Sequence, residues 1–251
     1  MTLAEVTKDN VSEVGIFCIK DKKADGFKKK IEWYKNKFNE GLQIILVIDS
    51  NQKEIGFIEF LPSESSWRPV LAQNYMFIQC IALFTKKSRN QSIGSQLISF
   101  CESKAKEANM DGVCVMTSSG PWMANKTIFE KNNYHKVDEK DRFELMSKSF
   151  NDKASLPSFV DWDQNLKIYN GWNLVYSDQC PWHDKSVKAL ANTSRKYNID
   201  LMVTQLKSPL DAQQAPSGFG TFSLIRDGRL LADHYISNTR FENILKKELN
   251  Q

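Results

Sequence analysis

Apolar residues recur at two different spacings along this chain, and the changes of spacing mark its elements. Residues 76–84, Met-Phe-Ile-Gln-Cys-Ile-Ala-Leu-Phe, form a β-branched and aromatic run that predicts a buried strand. Beyond the polar Thr85-Lys86-Lys87-Ser88, apolar positions return at Ile93, Leu97, Cys101 and Ala105, and this four-residue recurrence predicts a helix. Earlier, Thr7-Lys8-Asp9-Asn10 reads as a cap ahead of an amphipathic stretch reaching Cys18. Phe27, Ile31, Tyr34 and Phe38 mark a second helix, with Gly41 placed to end it. Residues 43–48 and 54–61 then read as strands around Asp49-Ser50-Asn51-Gln52, which predicts a hairpin, and residues 62–69 form a loop. Later, 112–117 reads as a strand and about 123–131 as a short helix. Asn132-Asn133 can end that helix in the left-handed conformation, and 134–137 and 143–146 read as closing strands.

Periodicity is interrupted between Phe150 and Gly171, where Asn151-Asp152-Lys153-Ala154-Ser155 and Pro157 fall. The expected organisation is a first domain over 1–150, a linker over 151–170 and a smaller second domain over 171–251. In the second, 172–176 is a strand, Cys180-Pro181-Trp182-His183 a strand-to-helix junction, 187–197 a helix and 201–206 a strand. Residues 219–231 form a hairpin around Asp227-Gly228, and 241–249 a last amphipathic helix. The fold class is α/β of the mixed α+β kind, in two domains.

Composition narrows the functions available. With 251 residues and 41% hydrophobic content the chain is expected to be globular. Its 34 basic and 30 acidic side chains leave a net charge of +4, so clusters such as Lys28-Lys29-Lys30 and Lys86-Lys87 read as solvated faces and a nucleic-acid partner is not expected. Five unclustered cysteines and three scattered histidines support neither a disulfide framework nor a metal site. No apolar run approaches the ~20 residues of a membrane span, and the start has no basic segment followed by an apolar one. A cytoplasmic protein without a membrane partner is the expectation.

The candidate chemistry sits where the buried strand leads into the helix. A helix start preceded by small residues forms an anion site, because its first N–H groups lack intrahelical partners and carry the positive end of the dipole. The segment Arg89-Asn90-Gln91-Ser92-Ile93-Gly94-Ser95 resembles the acetyl-CoA pyrophosphate loop of the GNAT acyltransferases, with Arg89 and Gly94 matching the pattern and Ser92 replacing its first Gly. The order of elements over roughly the first 150 residues is similar to that family's. The resemblance implies acetyl-CoA as co-substrate, with its pyrophosphate on the backbone of the 89–95 loop, and no metal. It assigns the oxyanion donor to a backbone N–H of the bulged strand near Ile81, Ala82 and Leu83. It also brings Asn125 and Phe129 to the cofactor, at the places of a family Asn and Tyr. Phe129 lacks the hydroxyl that protonates the leaving thiolate, which leaves Tyr134 or Cys114 as substitutes, each also readable as a packed strand residue.

Residues outside this loop are candidates as well. Glu59 is the candidate base, because strand alternation would place it on one face with Ile55, Phe57 and Leu61, and an ionisable group on an apolar face is either functional or at a frayed end. Trp67 and Arg68, in the loop, are candidates for substrate contacts. The second domain resembles a thioredoxin fold lacking its first strand and helix, and the pairing of the two domains resembles the YoaP-like proteins. Its Cys180 is a single thiol where redox members have two, and stands as a thiol-exchange site, an acceptor contact or a relic. Its place before a helix predicts a lowered pKa, reinforced by His183 if that is protonated, while Cys18, Cys80, Cys101 and Cys114 are expected to be buried and slow. The favoured function is acetyl transfer to a small-molecule amine, with an acyl-CoA-sensing or thiol-active binding protein as the alternative and a homodimer left open.

Overall fold

The structure, a computed structural model, describes residues 1–16, 18–19, 21–84 and 92–249. These form two compact units. Unit 1 comprises Met1–Lys20, Tyr34–Ser66 and Val70–Val160, and unit 2 comprises Asp21–Trp33, Trp67–Pro69 and Asp161–Gln251. The second unit therefore draws on two short segments from the first half of the chain, beyond the 171–251 that periodicity suggests. The stretch expected to be a linker holds β9 (Ser158–Phe159), which pairs with β4 (Val70–Leu71), and the helix α5 (Trp162–Leu166).

Unit 1 is built on a seven-stranded sheet. Its strands are β1 (Thr2–Val6), β2 (Gln43–Ile48), β3 (Glu54–Pro62), β5 (Tyr75–Leu83), β6 (Gly112–Ser118), β7 (His135–Lys140) and β8 (Phe143–Ser149). Their order is β1-β2-β3-β5-β6-β8-β7. Every neighbouring pair is antiparallel except β5 and β6, which are parallel and joined through the helix α3 (Ile93–Glu107). The predicted hairpin is present, with Val47 opposite Gly56 and Ile48 opposite Glu54, so that Ile55 is the extra residue of a bulge. One face of the sheet buries Ile45, Ile58, Phe60, Met76, Ile78, Val113, Val115 and Met146 against Ile93, Leu97, Ile98, Cys101 and Ala105 of α3. The apolar run of residues 76–84 and the four-residue recurrence of α3 thus meet in one core.

Three expectations change. Among the described residues ahead of Cys18, the helix is the single turn α1 (Val11–Val14), because Gly15 follows at φ 84°, and β1 comes before it. The helix expected over 123–131 is the single turn α4 (Thr127–Glu130), although Asn133 does adopt φ 64° beyond it. Ile55 packs with Ile58 and Phe60 instead of sharing a face with Phe57, Glu59 and Leu61, because the bulge reverses the alternation at that point. The helix α2 (Asp25–Lys37) and a following 3-10 turn do end at Gly41, left-handed at φ 87°.

Unit 2 centres on a four-stranded sheet of β10 (Trp172–Tyr176), β11 (Leu201–Gln205), β12 (Phe222–Arg226) and β13 (Arg229–Ala232), in the order β11-β10-β12-β13. β11 is parallel to β10, while β12 and β13 continue antiparallel. The helix α6 (Trp182–Lys196) connects β10 to β11 and starts earlier than the apolar period suggests. The short helix α7 (Pro209–Gln213) follows β11, opened by a capping box in which Ser208 and Asp211 exchange hydrogen bonds. The last helix is α8 (Asn238–Glu248), with Phe241 and Leu245 buried.

Candidate active site

In unit 1 the single parallel pair comes apart. β5 and β6 lie side by side only from Tyr75 and Gly112 to Ile78 and Val115, although β5 continues to Leu83 and β6 to Ser118. The cause is a bulge: Glu59 and Phe60 of β3 pair with Cys80 and Ile78, so Gln79 is an extra residue in β5, and an extra residue bends the strand that carries it. Beyond the bulge β5 follows β3 alone. Phe84 N donates to Ile55 O at 2.9 Å, so Phe84 and, by alternation, Ala82 turn their backbone groups toward β3. The N–H groups of Ile81 and Leu83 therefore point the other way, toward the gap that β6 leaves. Two backbone donors, held by a paired strand and needing no side chain, can stabilise an oxyanion there.

The helix after that gap starts without a side-chain cap. Ser92 precedes α3 in the left-handed conformation, φ 57° and ψ 14°, and its side chain accepts no capping bond, so the first-turn N–H groups carry no hydroxyl partner from it. This is the conformation for which the family pattern has Gly, and a non-Gly residue in it costs about 1–2 kcal/mol. Ser92→Gly is accordingly expected to raise unit 1's stability by about 1 kcal/mol, less the extra chain entropy of Gly; a urea midpoint that does not rise would contradict this. Gly94 has a packing reason of its own. A Cβ there would lie 2.3 Å from Ile128 Cδ1, so Gly94 lets α3 close onto α4. Ser95 Oγ accepts from Asn132 Nδ2 at 3.0 Å. Arg89, Asn90 and Gln91 lie outside the described residues.

Asn125 is exposed, and its Oδ1 accepts from Thr127 N at 2.9 Å and from Thr127 Oγ1 at 2.6 Å, which opens α4. Phe129 is fully buried in the α3 core, edge-on to Tyr134 with ring centroids 5.6 Å apart. Tyr134 is buried as well, and burial, with Cys101 and Glu102 close by, holds its hydroxyl pKa well above the ordinary value. Both rings are core pieces in this structure.

Glu59 lies on the opposite face of the sheet. It is 1% exposed, and its carboxylate accepts a hydrogen bond from Tyr34 Oη, a fully buried hydroxyl near the end of α2. Burial first, and then the Glu59 charge, push the Tyr34 pKa well up, so the phenol stays a donor and orients the carboxylate. Cys80 is the cross-strand partner of Glu59, beside the bulge. The strand that opens the gap thus also carries the residue opposite the candidate base, an arrangement not visible in the spacing because it depends on the bulge. Trp67 and Arg68 are not exposed contacts. They are 1% and 5% exposed within unit 2, where Arg68 donates to the Phe219 carbonyl and stacks over its ring at 4.4 Å.

In unit 2, Cys180 is half-buried just ahead of α6, and its carbonyl accepts from His183 N at 3.1 Å. His183 does not act as a cation beside it. The ring is fully buried against Phe219 and Phe222, and Nδ1 lies 2.9 Å from the Ser177 carbonyl, which only accepts, so Nδ1 carries the proton and Nε2 is the bare acceptor. Burial, with the positive charges of Arg68 and Lys30 adding to it, lowers the pKa to about 4 from the ordinary 6.5. Unfolding exposes a ring that protonates near 6.5, so this group's contribution is complete above that pH and is lost as pH falls toward 4. Unit 2 is expected to lose about 2 kcal/mol by pH 5 through His183. Urea unfolding at neutral pH and at pH 5 should show that fall in the native chain and a smaller one in His183→Phe.

The other thiols differ from one another. Cys101 and Cys114 are buried, and burial raises both thiol pKa values. Contrary to expectation, Cys18 is exposed and Cys80 half-buried. Among the described residues no group of three or more His, Cys, Asp or Glu side chains could hold a metal ion, and no helix is long and apolar enough to cross a membrane.

Residues 201–243 match the model of the YoaP-like family. The chain is 29% identical over 251 residues to the uncharacterized N-acetyltransferase YoaP of Bacillus subtilis (strain 168), spanning 98% of both chains. Among solved structures, a GNAT-family acetyltransferase of Staphylococcus aureus MU50 matches with 17% identity and a TM-score of 0.45, over 60% of this chain and 99% of that one. An aminoglycoside 6'-N-acetyltransferase of Enterococcus faecium matches with 15% identity and a TM-score of 0.43, over 62% and 100%. Apart from β1 and the two-residue β4, the α-helices and strands over residues 1–150 follow the order on which the GNAT resemblance rests: two helices, two strands, then strand, helix, strand, helix and two strands.

Proposed function

We propose that this protein transfers the acetyl group of acetyl-CoA to the amine of a small molecule. The observation that carries the reading is the opened β5–β6 pair, with the N–H groups of Ile81 and Leu83 turned into it and the uncapped start of α3 next in sequence. The whole-length likeness to an N-acetyltransferase supports it. Acetyl-CoA supplies an activated thioester and a leaving thiolate.

The chain's own residues divide the remaining work. The α3 start, with Ser92, Ile93, Gly94 and Ser95, offers backbone donors to an anionic group, and Arg89 in the preceding segment would add charge. Ile81 and Leu83 hold the developing oxyanion, a contribution that costs no reorganisation because β3 already fixes the strand. Glu59, oriented by Tyr34, accepts the proton of the attacking amine. A thiolate is a good enough leaving group to depart without an acid at Phe129. The test is a screen of amine and antibiotic libraries for acetyl-CoA-dependent release of CoA. Saturating acetyl-CoA with no amine that accelerates release would count against the transfer.

A second reading keeps the first unit as an acyl-CoA sensor and places the chemistry at Cys180. Its support is the half-exposed thiol ahead of a fifteen-residue helix in a unit whose strand order, β11-β10-β12-β13, suits a thioredoxin-like core. Brief iodoacetamide treatment near neutral pH separates the two, read by mass spectrometry. Cys101 and Cys114 are expected to remain unlabelled. Labelling of Cys180 ahead of the more exposed Cys18 would support an activated thiol, and the reverse order would remove the basis for this reading.

A further inference from the structure

β11 ends the sheet of unit 2, and nothing among the described residues pairs with its outer side. Its residues 202–205 are all exposed, with Met202 at 64% and Val203 at 40%, and Leu210, in α7 just beyond, is at 60%. Leu206 N donates to Tyr176 O at 2.7 Å, so Leu206, Thr204 and Met202 turn their backbone groups toward β10. The N–H and C=O groups of Leu201, Val203 and Gln205 therefore face outward as an unfilled ladder. Edge strands are usually guarded by a charge, a proline or a bulge. Residues 201–206, Leu-Met-Val-Thr-Gln-Leu, contain no charge and no proline, and β11 pairs with β10 without a register shift.

We infer that this edge is a self-association site, at which a second copy of the chain adds its own β11 antiparallel across a two-fold axis. Only residues whose backbone groups both face outward can oppose each other as a hydrogen-bonded pair, which sets Val203 against its own copy and Leu201 against Gln205. Met202 then opposes Thr204 on the other face, so exposed apolar surface is covered along with the ladder. The flanking charges favour this direction. Asp200 and Lys207, both exposed, stand at opposite ends of the strand. Antiparallel addition brings the acidic end of one copy beside the basic end of the other, whereas parallel addition would place like charges together. The product is one continuous sheet formed from two four-stranded sheets.

The test uses the full chain in sedimentation equilibrium, from micromolar to near-millimolar concentration. The native protein should move from the chain mass of 28.9 kDa to twice that value as concentration rises. Val203→Pro removes an outward N–H and no bond to β10, so unit 2 should keep its fold while the dimer dissociation constant rises at least tenfold. Val203→Lys keeps the N–H and sets two like charges against each other on the axis, and should raise the constant similarly; it decides the matter if the proline variant shows unfolding by circular dichroism. A native chain that stays at its monomer mass throughout would overturn the proposal. So would a dimer that survives Val203→Lys unchanged, since association would then use another surface.

Discussion

Phe129→Ala is expected to destabilise unit 1 by about 3–5 kcal/mol, the usual cost of removing a large aromatic ring from a packed core. The ring is fully buried, sits edge-on to Tyr134 and belongs to the cluster that joins α3 to the sheet. Its loss would leave a cavity beside Tyr134, whose ring is also held within the core. Because typical domains are stable by only about 5–15 kcal/mol, a change of this size should be plain in a urea titration. A midpoint close to that of the native chain would mean that the ring is not the core element described. Phe129→Tyr is informative in a different way, since it must bury a hydroxyl at a site enclosed by apolar groups. If that hydroxyl does reach a leaving thiolate, turnover should rise; a loss of stability with flat turnover is the outcome the packing favours.

Glu59→Gln should lower turnover by about two orders of magnitude or more, the contribution typical of a positioned general base. Gln keeps the volume and an oxygen that can accept from Tyr34, so stability and acetyl-CoA affinity should change little. That combination separates a proton acceptor from a packing residue, because a structural role would move stability together with rate. The measurement is the steady-state rate with whichever amine the screen identifies, at saturating acetyl-CoA. Turnover within a few-fold of native would assign the proton to water and reduce Glu59 to an internal partner of Tyr34.

What the sequence revealed follows what its side chains do locally. Apolar, β-branched runs marked β2, β3, β5 and β6, because these strands are buried over most of their length, and the spacing of Ile93, Leu97, Cys101 and Ala105 marked α3, because that helix buries one face. β1 escaped because Thr2–Val6 has one buried residue, Val6, in a pattern dominated by exposed positions. The gap escaped for a different reason. It arises from a bulge at Gln79, and bulges are set by register between strands rather than by the composition of one strand. Long-range burial was equally hidden. Trp67 and Arg68 look like an exposed pair in a polar loop, and His183 like a surface side chain on a first helical turn, yet all three are enclosed in unit 2 by residues more than thirty positions away, Phe219 among them. Gly94 was legible as a family signature but not as a packing requirement, which only the approach of Ile128 reveals.

A bulky residue at Gly94 would disturb α3 and α4 whatever binds nearby, so Ser92 is the better probe. Ser92 is exposed and left-handed, and Asp both tolerates that conformation and carries a charge that the helix dipole favours at this end, so Ser92→Asp should fold about as well as the native chain. It also places a negative charge where the pyrophosphate of acetyl-CoA is proposed to lie, and a loss of more than about 1.4 kcal/mol, a factor of ten in affinity, is expected. Calorimetric titration of acetyl-CoA into both proteins is therefore the most direct measurement. One molecule should bind per chain, with affinity at least tenfold weaker in Ser92→Asp; equal affinities, or no binding to the native chain, would mean that the pyrophosphate does not lie at the start of α3.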